Sequence, residues 1–187
     1  SRRIEPGNKT DEPIRTRGWT HWHHLFNPRQ LLLIGTANKI NFEINERREE
    51  FVGILLGVGR SLNWNSRLSQ WMAGSVNEGG SQVFMNQALN TLYSYSTRPV
   101  EKWKHSWFYD WPPTQIDSNT SVEPVSALEV TTLADVWVTD PPYADAVNYH
   151  ELSEFFLSWY EKPLQRLFPE WYTDSKRALA ITGDEED

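Results

Sequence analysis

Ala134-Asp135-Val136-Trp137-Val138-Thr139-Asp140-Pro141-Pro142-Tyr143 is the stretch on which the reading of this chain turns. Val136, Trp137 and Val138 are β-branched or aromatic, and short runs of that kind favour strands. Asp140 then stands where the strand would end, and two prolines stiffen the turn behind it. Open α/β sheets bind their ligands beyond the carboxyl ends of their strands, so an acidic residue there is well placed for chemistry. The expected fold class is therefore α/β. A bare Asp-Pro-Pro also serves as an ordinary loop; the strand-like run before it and the stretch 144–156 after it favour the functional reading.

The residue types suit one chemical problem. An exocyclic amino group on a nucleobase is a poor nucleophile, because its lone pair is delocalised into the ring. A carboxylate and a backbone carbonyl that accept its two N–H groups hold the nitrogen nearer to tetrahedral. The lone pair then points at the methyl group of a sulfonium donor, which is orientation plus stabilisation of developing charge. Asp140 offers the carboxylate and Pro141 the carbonyl, while Pro141 and Pro142 bring no competing backbone N–H. Tyr143 offers a flat face for a base extruded from its duplex. Asn148, Tyr149 and His150 follow closely enough to wall the pocket of that base.

Composition sets the frame. The chain has 187 residues, 39% hydrophobic and 23% charged, enough for one domain with a core. Ten tryptophans suggest aromatic-pinned packing, and the absence of cysteine excludes disulfides and thiolate metal sites. No apolar run approaches the roughly 18 residues of a membrane span, and no signal-like start is present, so the expected compartment is the cytoplasm. The net charge of −7 argues against a simple nucleic-acid coat protein. It is unevenly spread: Ser1 to Gln30 holds six Arg/Lys and three Asp/Glu, whereas Asp140 onward holds four and eleven. A start at Ser1 and an acidic finish lead us to expect a piece of a larger protein, with the remainder of that chain as a partner.

Four regions follow from the pattern. Residues 1–18 read as an extended polar segment. Residues 19–98 read as a helical portion, with Asn27 as N-cap, Pro28 at the first helical position, Gln30 completing a capping box, and Phe26 stapled to Leu31. Helices are expected over about 27–40, 43–62 and 82–95. Residues 99–129 form an aromatic and proline-rich loop region, and 130–187 carry the strand, the turn and a helix over about 150–160 that stops before Pro163.

With these residues in view, the sequence resembles the large prokaryotic adenine-specific DNA methylases that carry a domain of unknown function. The likeness rests on Trp22-His23-His24-Leu25-Phe26-Asn27-Pro28-Arg29-Gln30-Leu31-Leu32, on Asn65-Ser66-Arg67-Leu68 with Trp71, and on Thr139 to Trp159. It covers most of the chain in patches. The resemblance implies part of a Rossmann-like fold that uses S-adenosylmethionine and methylates adenine N6 in DNA, with Asp140, Pro141, Pro142 and Tyr143 as the catalytic set. N4 of cytosine or an amino group of RNA would present similar geometry. The family's glycine-rich cofactor loop and zinc-ribbon cysteines have no counterpart here, which keeps open a catalytically inert helical DNA-binding or interaction module.

Weaker signals have plainer readings. Gly57-Val58-Gly59 lacks the third glycine and the distal acid of a dinucleotide fingerprint, so we read Gly53 and Gly57 as a close approach for another helix. Arg29, at a helix start, is a candidate for binding phosphate or cofactor. His21, His23 and His24 beside Trp19 and Trp22 suggest a nucleic-acid groove before they suggest a metal. Phe155, Phe156 and Trp159 fit core positions.

Overall fold

The computed structural model describes residues 1–44, 47–69, 71–72, 79–80, 82–85, 88–89, 107, 112, 114–115, 117, 119–123, 125–141 and 147–170. Its helices are α1 (Asp11–Arg17), α2 (Pro28–Ile44), α3 (Arg48–Trp64) and α4 (Tyr149–Leu167), with short 3-10 turns at Trp22–Leu25 and Ala127–Glu129. The strands are two residues long: β1 (Trp71–Met72) pairs antiparallel with β2 (Gly79–Gly80), and β3 (Phe84–Met85) with β4 (Ala88–Leu89).

The expected α/β, Rossmann-like class does not hold for the described residues: the architecture is helical, and no sheet exceeds two strands. The strand expected over 134–138 is absent as well. Residues 130–141 follow an irregular, open path, with Val138 91% exposed. The cause is pairing. A strand satisfies its backbone only against a neighbour, and β propensity cannot supply that neighbour.

Local chemistry explains the helices. Asn27 and Gln30 form the capping box in full, Asn27 N–H donating to Gln30 Oε1 at 2.8 Å and Gln30 N–H to Asn27 Oδ1 at 2.9 Å. Phe26 is buried and Leu31 packs against the same core. α2 runs to Ile44, past the expected end near residue 40, and is tied to α3 by the buried Asn41 amide donating to the Phe51 carbonyl at 3.2 Å. α1 stops at Gly18, whose φ of 65° is the left-handed region where glycine is least strained.

Two expectations shift at the C-terminal side. Within the stretch 82–95 expected to be helical, the described residues 84–85 and 88–89 form the β3–β4 pair instead. Val83 N–H donates to the Asn63 carbonyl at 2.7 Å, which holds the chain extended across the end of α3. α4 passes through Pro163 rather than stopping before it. Proline removes one helical hydrogen bond at a cost of about 3 kcal/mol; here Pro163 is buried, and packing outweighs the break.

The core is aromatic and centres on Phe155, which has no exposed surface. Phe155 meets Trp22 (5.9 Å between centroids), Phe26 (5.7 Å) and Phe84 (5.3 Å), while Trp159 meets Phe26 (5.3 Å) edge-on. Phe155, Phe156 and Trp159 thus take the core positions expected of them. α3 and α4 approach closely where Tyr160 donates its hydroxyl to the Leu55 carbonyl at 3.1 Å, beside Gly59. Burial pushes that phenol well above its usual range. No helix among the described residues is long and apolar enough to cross a membrane.

Candidate functional site

The Asp140 region has one open part and one anchored part. Asp140 and Pro141 are both exposed, and residues 130–141 make no backbone hydrogen bond with the rest of the chain among those described. Pro142 and Tyr143, the other half of the expected catalytic set, lie outside the described residues. Val147 is buried, and Asn148, Tyr149 and His150 then open α4. The Asn148 carbonyl accepts from Glu151 N–H (3.0 Å) and Leu152 N–H (3.2 Å), and Tyr149 stays partly exposed. Of the three expected pocket residues, Tyr149 is the most open and His150 the one drawn inward, its Nε2 standing 3.8 Å from Glu151 Oε1.

Glu151 is a residue the sequence did not single out. It is 3% exposed, and its Oε2 accepts from Lys9 N–H at 2.8 Å and Thr10 N–H at 3.1 Å. The Thr10 hydroxyl stands 3.4 Å away and donates at 2.6 Å to the Glu5 carbonyl. A buried carboxylate is costly unless hydrogen-bonded to several donors. This one is so bonded, and it fastens residues 1–10 to the start of α4. The only sequence signal was its place one turn into the helix, which any solvated glutamate could occupy.

A second constellation gathers at the N-terminal side. The Arg67 N–H donates to the Leu25 carbonyl at 2.7 Å and its Nη1 to the His24 carbonyl at 3.2 Å, joining the Asn65–Ser69 turn to the 3-10 turn Trp22–Leu25. Two of the stretches that carry the family resemblance are thereby brought together. The Arg67 guanidinium lies 5.8 Å from the Trp19 ring, and Arg17 lies 5.1 Å from the same ring. His21, His23 and His24 cluster beside it with ring centroids 4.3 to 5.6 Å apart. The His23 pKa is lowered by burial first, then by His24, His21 and the N-terminal amine. Among the described residues no group of three His, Asp or Glu side chains is arranged to hold a metal. Trp19 and Trp22, beside these histidines in sequence, are both buried in the core.

The described residues do not fit a cradle for S-adenosylmethionine. Gly57 and Gly59 are buried inside α3; a Cβ at Gly57 would press on the Trp107 ring, and one at Gly59 would collide with the Tyr160 hydroxyl. Helix packing thus uses Gly57 and Gly59, whereas Gly53, the expected partner of Gly57, meets nothing. Arg29 is exposed on the first turn of α2. No protein-family model, curated protein or solved structure matches the chain.

Proposed function

We propose that this chain supplies the amine-holding part of a DNA methyltransferase acting on adenine N6. The observation that carries the reading is the combination of an open Asp140-Pro141 pair with a firmly anchored α4 directly beyond it. A carboxylate without a partner among the described residues can accept one N–H of an extruded adenine, and the Pro141 carbonyl can accept the other. Both contacts favour a nitrogen that is becoming tetrahedral over one that is flat, so they act on the transition state. No strong general base is required, because the amine becomes acidic as it is alkylated and releases its proton afterwards. Tyr143 would stack on the base, and Asn148, Tyr149 and His150 would border it.

The methyl donor suited to this chemistry is a sulfonium, S-adenosylmethionine, and its cradle must come from residues other than those described. An amino group of cytosine N4 or of RNA fits the same acceptors. The helical architecture and the buried glycines favour a second reading, a DNA-positioning module without catalysis. One assay separates them: methyl transfer from labelled S-adenosylmethionine to duplex DNA, with products resolved by mass spectrometry as N6-methyladenine or N4-methylcytosine. Asp140→Ala should lower adenine methylation by about 10²-fold or more, the usual scale for a lost oxyanion-hole-type contact. Equal yields from the variant would refute the role of Asp140. Duplex binding with no transfer by the unmodified chain would favour the positioning module.

A further inference from the structure

The stretch that carries Asp140 cannot itself attract DNA. From Ser106 to Tyr149 there are seven carboxylates and no lysine, arginine or histidine. Phosphate attraction dominates nucleic-acid affinity, so a chain that presents a base to Asp140 needs a cationic face elsewhere. The sequence has the material for one. Residues 13–38 contain Arg15, Arg17 and Arg29 without a single Asp or Glu, and residues 51–77 contain Arg60 and Arg67, likewise without an acid. In a chain of net charge −7, two acid-free stretches that fold against each other form a segregated positive region.

We propose that the face built by Arg67, Arg17 and the His21, His23, His24 cluster is a docking surface for the phosphate backbone of duplex DNA. Arg67 is its centre. Its side chain is half-buried and positioned by the His24 carbonyl, yet no carboxylate stands within ion-pair distance of it among the described residues. Its Nε is buried without a hydrogen-bond partner. Buried cations are ordinarily paired, so a guanidinium held rigidly without an anion is complementary to an anion from outside. The same junction concentrates other unmet polar atoms: the indole N–H of Trp22, Nδ1 of His23, and both amide atoms of Asn65, which is 0% exposed. Arg17, half-buried on the shared Trp19 ring, brings a second guanidinium to the same place, and the His21, His23 and His24 rings pack against one another alongside.

DNA as the polyanion rests on the amine-holding reading; the cationic face itself does not. The test is fluorescence anisotropy of a labelled 20-base-pair duplex with the whole 187-residue chain, across a salt series. Arg67→Ala and Arg17→Glu should each weaken binding about tenfold or more, irrespective of DNA sequence, and each should reduce the log–log salt slope by about one. Lys39→Ala, on α2 and paired with Glu43, should change neither. Circular dichroism confirms that the variants are folded; if Arg67→Ala is not, Arg17→Glu carries the test. Wild-type affinity and slope in Arg17→Glu and in a folded Arg67→Ala would overturn the surface. So would competition by polyglutamate as strong as by unlabelled DNA, since the partner would then be an acidic protein. Methyl transfer separates the two readings. Transfer that needs Asp140 but ignores Arg67 and Arg17 sinks only the surface, and duplex binding that needs both arginines beside transfer indifferent to Asp140 sinks only the amine-holding role.

Discussion

The α2–α3–α4 core and the stretch 119–141 are built from similar residues and end in opposite states. Phe26, Phe51, Leu55, Val58 and Phe155 are buried in the first; Val122, Leu128, Leu133, Val136, Trp137 and Val138 are exposed in the second. Hydrophobic character is not what differs. The helices satisfy their own backbone N–H and C=O groups, so an apolar stripe can be buried as soon as a second helix lies alongside. The extended stretch has no such internal solution, and its apolar side chains stay outside with its backbone. Structure here follows from where hydrogen-bond partners are, and apolar residues accept what that allows.

The comparison is most severely tested at its aromatic centre. Phe155→Ala removes the ring against which Trp22, Phe26 and Phe84 pack, and should cost about 3–5 kcal/mol. Urea unfolding of the variant measures this directly. A loss below about 1 kcal/mol would mean that the core does not depend on that cluster.

The α3–α4 contact gives the next largest effect. Gly59→Ala places a methyl group on the Tyr160 hydroxyl, and overpacking of this kind costs about 1–3 kcal/mol. Tyr160→Phe removes the oxygen and its bond to the Leu55 carbonyl, so alone it should cost about 1 kcal/mol. Combined, the two substitutions should cost less than the sum of the singles, because the second relieves the clash made by the first. Strict additivity would show that the two helices do not meet at this point.

Glu151 joins the core to the polar segment 1–10 and comes third. Glu151→Gln keeps shape but replaces an ionised acceptor for the Lys9 and Thr10 N–H groups, with an expected loss of about 1–2 kcal/mol. The loss should be accompanied by faster proteolysis before Thr10. Unchanged cleavage would mean that other contacts, such as Ile4 N–H to the Thr20 carbonyl, hold the segment on their own.

How far these features could be read from sequence depends on their range. The Asn27–Gln30 capping box and the core role of Phe155 are signals three or four residues long, and they survive in the structure. α4 began one residue earlier than expected and ran through Pro163, because burial of that proline is decided by packing that spacing does not reveal. The 134–138 strand failed for the complementary reason: its residues favour β structure, but the neighbour a strand needs is not encoded locally. Glu151 and Arg67 were opaque as functional residues, since their meaning lies in donors 141 residues away in one case and in a carbonyl 43 residues away in the other. Of the site, Asp140 and Pro141 lie exposed on an irregular stretch rather than at the end of the expected strand, and Pro142 and Tyr143 fall outside the described residues.

The smallest expected effect is the sharpest test of the contrast. Leu133 is 98% exposed and Val138 91% exposed, and neither has a place in the core. Leu133→Ser and Val138→Ser should therefore change stability by less than about 0.5 kcal/mol, an order of magnitude below Phe155→Ala. Chemical denaturation of the isolated chain measures both. If either serine variant cost as much as the Gly59 substitution, the stretch before Asp140 would be part of the folded body. Its openness, and with it the free approach to the Asp140 carboxylate, would then have to be abandoned. A null result would leave an apolar, irregular segment leading to an acidic residue whose backbone is tied to no other element among the described residues. Among the described residues no group then competes for the Asp140 carboxylate, which is the state the proposed amine-holding role requires.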